Sequence, residues 1–242
     1  MSIKAVTFDF WDTLFPRLGR DGGGSPETLR PKLLREFLLE LGQDHPFERC
    51  EAAYARADRD HLQSWVTDMR QPPVERALDE MCAELEIELD EKQREGLALS
   101  MQCLDELEDL GPFAGVSDLV PALAEEHKLG IVSDTWLTPG SVPRDMLERR
   151  GLLASFSVFV FSDETGFLKP HERQFRIALD ALDAAPGEVV HVGDSERRDV
   201  MGARSMGMRT VLLDWEGAHG ESVADAVVRD FRELPKALAG LA

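Results

Sequence analysis

The sequence predicts an open α/β sheet of parallel strands, with a second, smaller, all-helical unit set into it. Three observations lead there. Short apolar runs rich in Val and Ile recur along the chain, as strands buried on both faces of a parallel sheet require. Helical patterns separate those runs, as crossover connections do. One long segment, from about 28 to 108, is helical in pattern throughout.

The strands are expected at 3–8 (IKAVTF), 129–133 (LGIVS), 157–162 (SVFVFS), 188–193 (EVVHVG) and 209–214 (RTVLLD). Leu119, Leu123 and Ala124 mark a helix before the second, and Phe175, Ala178, Leu179 and Leu182 one before the fourth. Inside the long helical segment, Leu33, Leu34, Phe37, Leu38 and Leu41 share a helical face that closes on Gly42. Val74, Ala77, Leu78, Met81, Cys82 and Leu85 repeat the spacing after the break at Pro72 and Pro73. The sheet resumes near 112, so residues 1–15 and 112–242 are read as the core domain and 16–111 as the helical one. The stretch GRDGGGSP at 19–26 is the expected hinge or lid entry.

Composition narrows the function. A chain of 242 residues with 43% apolar content suits a folded core plus an insert. The net charge of -19 comes without a basic patch and argues against a nucleic-acid partner. No run is apolar and long enough to span a bilayer, and the first fifteen residues lack the parts of a secretion signal, so the expected location is the cytoplasm. Cys50, Cys82 and Cys103 are unclustered, which speaks against a disulfide framework or a thiolate metal site. The expected assembly is a monomer or a homodimer.

Functional groups of a parallel sheet gather at the carboxyl ends of its strands. Those ends carry Asp9 to Thr13, Ser133 and Asp134, Lys169 past the third strand, and Gly193-Asp194-Ser195 with Asp199 beyond. A strand running into Asp9 needs a reason, because burying a bare carboxylate is costly. Acids packed together do not all stay ionised without a cation, so Asp9, Asp194 and Asp199 imply a hard ion such as Mg2+. Lys169 and Ser133 would then hold the oxygens of a transferred phosphoryl group. Taken singly, each has a plainer reading: Asp194 as a helix cap, Asp12 as a turn cap, Ser133 and Thr13 as backbone partners, Lys169 as a solvated loop residue.

Together and in this order, FDFWDTL, IVSD, GFLKP and VGDSERRDVMGA resemble the four motifs of the haloacid dehalogenase-like hydrolase superfamily. The resemblance implies a doubly wound, Rossmann-like core with a helical cap inserted after the first motif. It implies Asp9 as nucleophile and metal ligand, with Trp11 lending a backbone carbonyl to the metal. Thr13 would orient the nucleophile loop, Ser133 bond the phosphoryl group and Lys169 steady both. Asp194 and Asp199 would complete the Mg2+ site, and Asp134 would join Ser133 and Lys169 at the substrate, reach the metal's outer shell or shape its loop. The implied substrate is a small phosphorylated metabolite, bound at the seam between the domains.

One position departs from the motif. Phosphatases of the superfamily carry a general acid two residues after the nucleophile, where this chain has Trp11; the spare carboxylate stands at Asp12, where the pattern has glycine. Moving an acid by one place along extended backbone turns it away from its target. Three readings follow: a phosphohydrolase for undemanding leaving groups, a 2-haloacid dehalogenase, or a non-catalytic phosphate- or metal-binding relative. The dehalogenase reading gains from an aromatic residue at position 11 and loses from the retained Asp194 and Asp199. It also needs an arginine for the substrate carboxylate, for which Arg17, Arg20 and Arg30 are candidates. His191 is expected to be a hydrogen-bonded core residue, and Met201 to Met208 packing. Trp136 is left between pocket wall and cap packing, and Tyr54 and Trp65 between the site and the helical core.

Overall fold

The computed structural model describes residues 2–20, 24–217 and 220–242. Asp21, Gly22 and Gly23, the middle of the expected hinge, lie outside the described residues. Six strands form one sheet: β1 (Ala5–Phe8), β2 (Lys128–Ser133), β3 (Val158–Phe161), β4 (Val189–Gly193), β5 (Arg209–Leu213) and β6 (Ala226–Val228). Their order is β3-β2-β1-β4-β5-β6, every pairing is parallel, and the predicted α/β class holds. The edge strand β6 is absent from the sequence reading. Its three residues, AVV inside the acid-bearing stretch ESVADAVVRD, are too short an apolar run to mark a strand, and only pairing with β5 makes them one.

Helices cover both faces. Alternation along β1 sends Val6 and Phe8 to one side and Ala5 to the other. Val6 and Phe8 pack with Ile131 and Val192 against α6 (Val116–Glu126), α7 (Ser141–Arg149) and α11 (Leu234–Leu241). The opposite face packs Val132, Val160 and Val189 against Phe175, Ala178 and Leu182 of α9 (Glu172–Leu182). The remaining helices of this part are α8 (Ser162–Thr165) and α10 (Met201–Ser205). Met208 is buried and Met206 joins the same cluster, whereas Met201 is exposed, so the methionine stretch packs only in part.

Between β1 and β2 the chain forms α1 (Pro26–Glu40), α2 (Phe47–Thr67), α3 (Val74–Leu85), α4 (Glu91–Ser100) and α5 (Leu104–Glu108). The first four enclose their own apolar cluster, with Leu34, Leu38, Leu78, Met81 and Leu85 fully buried or nearly so. Each such Leu is worth about 2 kcal/mol of burial. Leu137, from the loop after β2, inserts into the same cluster and ties the helical insert to the sheet. Cys50, Cys82 and Cys103 are buried free thiols. Among the described residues no helix is long and apolar enough to cross a membrane.

Candidate active site

The strand order reverses at β1, whose two neighbours are β2 and β4, and ligands of open α/β sheets bind at such a point. Phe8 is in register with Ile131 on one side and Val192 on the other, so the strands end together. Asp9, Ser133 and Asp194 therefore emerge at one edge. The Asp9 amide donates to the Val192 carbonyl at 2.9 Å, which holds the first loop against β4.

Lys169 is the centre of this edge. Its Nζ lies 2.6 Å from Oδ1 of Asp9 and 2.6 Å from Oδ1 of Asp199, and all three side chains are buried. The lysine's own backbone is held from both sides. Its amide donates to Asp134 Oδ1 at 2.8 Å, and its carbonyl accepts from Trp65 Nε1 at 2.7 Å. Asp134 thus shapes the loop that presents Lys169, and Trp65 of the insert reaches this edge of the core. Ser133 is buried beside them, its Oγ donating to the Asp134 carbonyl at 3.4 Å.

Asp199 sits on a turn of π-helix over 196–200. Its Oδ1 also accepts from His191 Nε2 at 3.2 Å, and its Oδ2 accepts from the Ser195 amide at 3.0 Å. Gly193 is needed for this approach, since a Cβ there would come within 2.3 Å of the Asp199 Cγ. His191 is a buried, hydrogen-bonded core histidine, bonded to Thr7 Oγ1 at 2.9 Å through its other nitrogen.

The carboxylates of Asp9, Asp194 and Asp199 lie within 4.8 Å of one another. Burial pushes Asp9 up, with Asp199 adding to it, despite the pull of Lys169. Burial, Asp9 and Asp199 push Asp194 up to about 8, and its carboxylate makes no hydrogen bond or ion pair among the described residues. Asp199 goes the other way: Lys169 and His191 overcome its burial and hold it below the usual carboxylate range. Burial opposes the Lys169 charge too, but Asp199 and Asp9 outweigh it and raise the ammonium. An oxygen-only donor set with one unneutralised acid fits a hard divalent cation. Asp9 and Asp194 have oxygens to give it, while Asp199 already accepts three bonds.

Two first-loop residues are defined by what they touch. The Thr13 hydroxyl is buried without a hydrogen-bond partner, so the loop is held by backbone instead: the Leu14 and Phe15 amides donate to the Phe10 carbonyl. Asp12 has a positive φ of 59°, which explains why glycine suits this position. Its carboxylate turns to Arg17 (3.1 Å) and Arg20 (3.1 Å), and its carbonyl accepts from Trp215 Nε1 at 2.7 Å. Trp11 packs its ring edge-on against Phe10.

A cavity of about 500 Å³ opens between the insert and the sheet. Trp11 and Asp134 border it; Asp9, against Lys169, does not. Tyr54, Asp58, His61 and Trp65 line it from α2, and Trp136 from the loop after β2. Trp136 serves both expected roles, since it also packs on the insert's apolar cluster. His61 and Arg198, another wall residue, are missed by the sequence reading. The signal for His61 is present: residues 54, 58, 61 and 65 recur at helical spacing, a polar and aromatic stripe beside the buried Cys50, Ala53 and Ala57. Of the three candidate arginines, Arg17 and Arg20 are bound to Asp12 and only Arg30 is buried.

Comparison with known proteins agrees with this geometry. Residues 61–213 match the family model described as haloacid dehalogenase-like hydrolase. A phosphoserine phosphatase of Thermus thermophilus is 39% identical over 116 residues, 46% of either chain, so less than half of that relative is spanned. A ribulose-1,5-bisphosphate 5-phosphatase of Halopiger xanaduensis is 30% identical over 87% of this chain and 84% of its own. Among solved structures, a 2-haloacid dehalogenase of Pseudomonas syringae superposes with a TM-score of 0.74 at 23% identity, covering 99% of this chain and 100% of that one. A phosphatase of Thermococcus onnurineus follows at 0.67 and 25%, covering 98% and 99%. With the family model spanning more than half of the sequence and the sheet order and carboxylate edge in place, the chain belongs to the haloacid dehalogenase-like hydrolases.

Proposed function

We propose that this hydrolase is a Mg2+-dependent phosphohydrolase of small phosphorylated metabolites, with residues 1–15 and 112–242 as its core and 16–111 as its cap. The observation that carries this is Lys169 bridging Asp9 and Asp199 beside an unpaired Asp194. A nucleophile, a fixed cation and spare metal-binding oxygens are combined there. The two relatives named above by sequence, at 39% and 30% identity, are phosphatases, which supports the same reading.

Asp9 attacks phosphorus in line with the departing oxygen; the P–O bond to the leaving group breaks as an aspartyl phosphate forms. Lys169 and Ser133 hold the phosphoryl oxygens through this step. Water then attacks phosphorus, releasing inorganic phosphate and restoring the Asp9 carboxylate. Asp9, Asp194 and the Trp11 carbonyl would hold Mg2+, with Asp199 nearby; the ion supplies charge neutralisation for the phosphoryl group. Trp11 has no proton to give and Asp12 is bound to two arginines, so the leaving group departs as an anion or takes its proton from solvent. Aryl and acyl phosphates suit that.

Trp11 also favours a second reading, dehalogenation, in which halide leaves without a proton. Hydrolysis of para-nitrophenyl phosphate and acetyl phosphate, with and without Mg2+ and with Asp9→Asn as control, separates the two. Mg2+-dependent turnover lost in the variant is the expected result. Halide release from 2-haloacids with no phosphate release would overturn it.

A further inference from the structure

Besides the linkers that join it to the core, the helical insert is bonded to the loop that carries Lys169. At the turn between α2 and α3 the Leu168 amide donates to the Met69 carbonyl at 2.7 Å, and the Gln71 amide donates to the Gly166 carbonyl at 3.1 Å. Arg70 and Phe167 pair as an antiparallel bridge, with the Arg70 guanidinium 4.4 Å over the Phe167 ring. Ser162 Oγ donates to Gln71 Oε1 at 3.0 Å. Met69 takes a positive φ of 54° here, which a non-glycine residue keeps only where its surroundings impose it. Trp65, one turn earlier on α2, adds its bond to the Lys169 carbonyl at 2.7 Å.

Trp65 also touches the segment that carries Asp199. Arg197 and Arg198 lie over its ring at 4.4 and 4.6 Å, and the next residue is Asp199. One indole therefore joins the two segments whose side chains, Lys169 and Asp199, meet at 2.6 Å. Cation–π attraction holds the ring in place, and its single N–H goes to Lys169. The lysine stem is long and flexible, so the position of Nζ depends on how firmly the main chain is fixed. The core supplies one hold, Asp134 on the Lys169 amide, and the insert supplies the other. A misplacement of about 1 Å in a reacting group can cost about 10²-fold in rate.

Building on the phosphohydrolase reading, we infer that Trp65 is a positioning residue for Lys169, through which the insert sets the lysine between Asp9 and Asp199. The indole N–H fixes the Lys169 carbonyl, and the pairing of 69–71 with 166–168 keeps the loop beside α2. An insert displaced from the core withdraws one of the two main-chain holds on the lysine. Trp65 acts on the reaction through Lys169, whatever the leaving group.

The test pairs kinetics with amide hydrogen exchange in Trp65→Phe, which keeps a ring on α2 and loses the N–H. With Mg2+ present, kcat for para-nitrophenyl phosphate and for acetyl phosphate should both fall at least about tenfold, with each KM within about twofold of wild type. The Leu168 and Lys169 amides should exchange at least about threefold faster, while those of α1 and β4 keep wild-type rates. Unchanged exchange at 168 and 169, an unchanged kcat, a raised KM or a loss confined to one substrate each overturns the inference. Should α1 and β4 also exchange faster, Trp65→β-(3-benzothienyl)alanine, which puts sulfur for the N–H in a ring of the same shape, must show the same loss of kcat. A wild-type kcat in that variant overturns the inference. If wild type hydrolyses neither phosphate, the phosphohydrolase reading fails and the exchange rates alone decide the hold on Lys169. Turnover by wild type with unchanged exchange in the variant spares that reading and removes this one.

Discussion

Asp12 Oδ1 lies 3.1 Å from Arg20 Nη1, and Arg17 takes the other oxygen at 3.1 Å. The carboxylate that sequence places beside the missing general acid is thus bound in the linker to the insert, in a residue whose positive φ turns it from the path of Asp9. It ties the linker, and in the proposed mechanism the general-acid role is left unfilled.

Restoring an acid at position 11 should therefore change the leaving-group dependence. Trp11→Asp is expected to speed hydrolysis of alkyl phosphates by at least about tenfold, within the usual span of general acid help, and to affect para-nitrophenyl phosphate far less. Asp12→Asn should leave the aryl-to-alkyl ratio unchanged. Steady-state rates across a leaving-group series check both; a ratio that moves in Asp12→Asn would return Asp12 to the chemistry.

Asp194 provides a metal test that needs no turnover. Its raised pKa of about 8 means that, without a cation, stability is lost as pH rises from the ordinary carboxylate value through 8. Asp194→Asn removes that loss. The variant should melt above wild type in EDTA at pH 8.5, and Mg2+ should raise the melting temperature of wild type only. Equal Mg2+ shifts in both proteins would show that the ion binds elsewhere.

His61 makes the opposite contribution in acid. Burial, Arg198 and Arg30 hold its pKa down at about 4 against an ordinary 6.5. The unfolded chain therefore binds this proton first, and stability falls as pH drops from 6.5 towards 4, by at most about 3 kcal/mol. Urea unfolding at pH 7 and pH 5 should show a smaller loss for His61→Gln than for wild type. Parallel losses would mean that His61 is solvated and titrates normally.

The strands and the residues at their ends were legible because both are local. Runs such as AVTF and VVHVG need burial on two faces, and a carboxylate or hydroxyl directly after such a run can only emerge at the sheet edge. Hence Asp9, Ser133, Asp194 and Asp199 were readable as one group, and so was the hydrogen-bonded His191. Strand β6 was not legible, since three residues carry too little pattern and depend on β5 for their pairing. The unpartnered Thr13 hydroxyl was equally out of reach, because it depends on how the first loop closes on the Phe10 carbonyl.

The cavity belongs to tertiary structure alone. Arg30, His61 and Trp136 are far apart in the chain, and only the packing of α1 and α2 against the loop after β2 stacks them. Likewise, spacing shows that Asp12 is displaced, but not that Arg17 and Arg20 hold it. Residue order dictates which side chains follow a strand, since the pleat fixes their direction. Contacts between separate elements depend on how whole helices dock, and no short stretch of sequence carries that information.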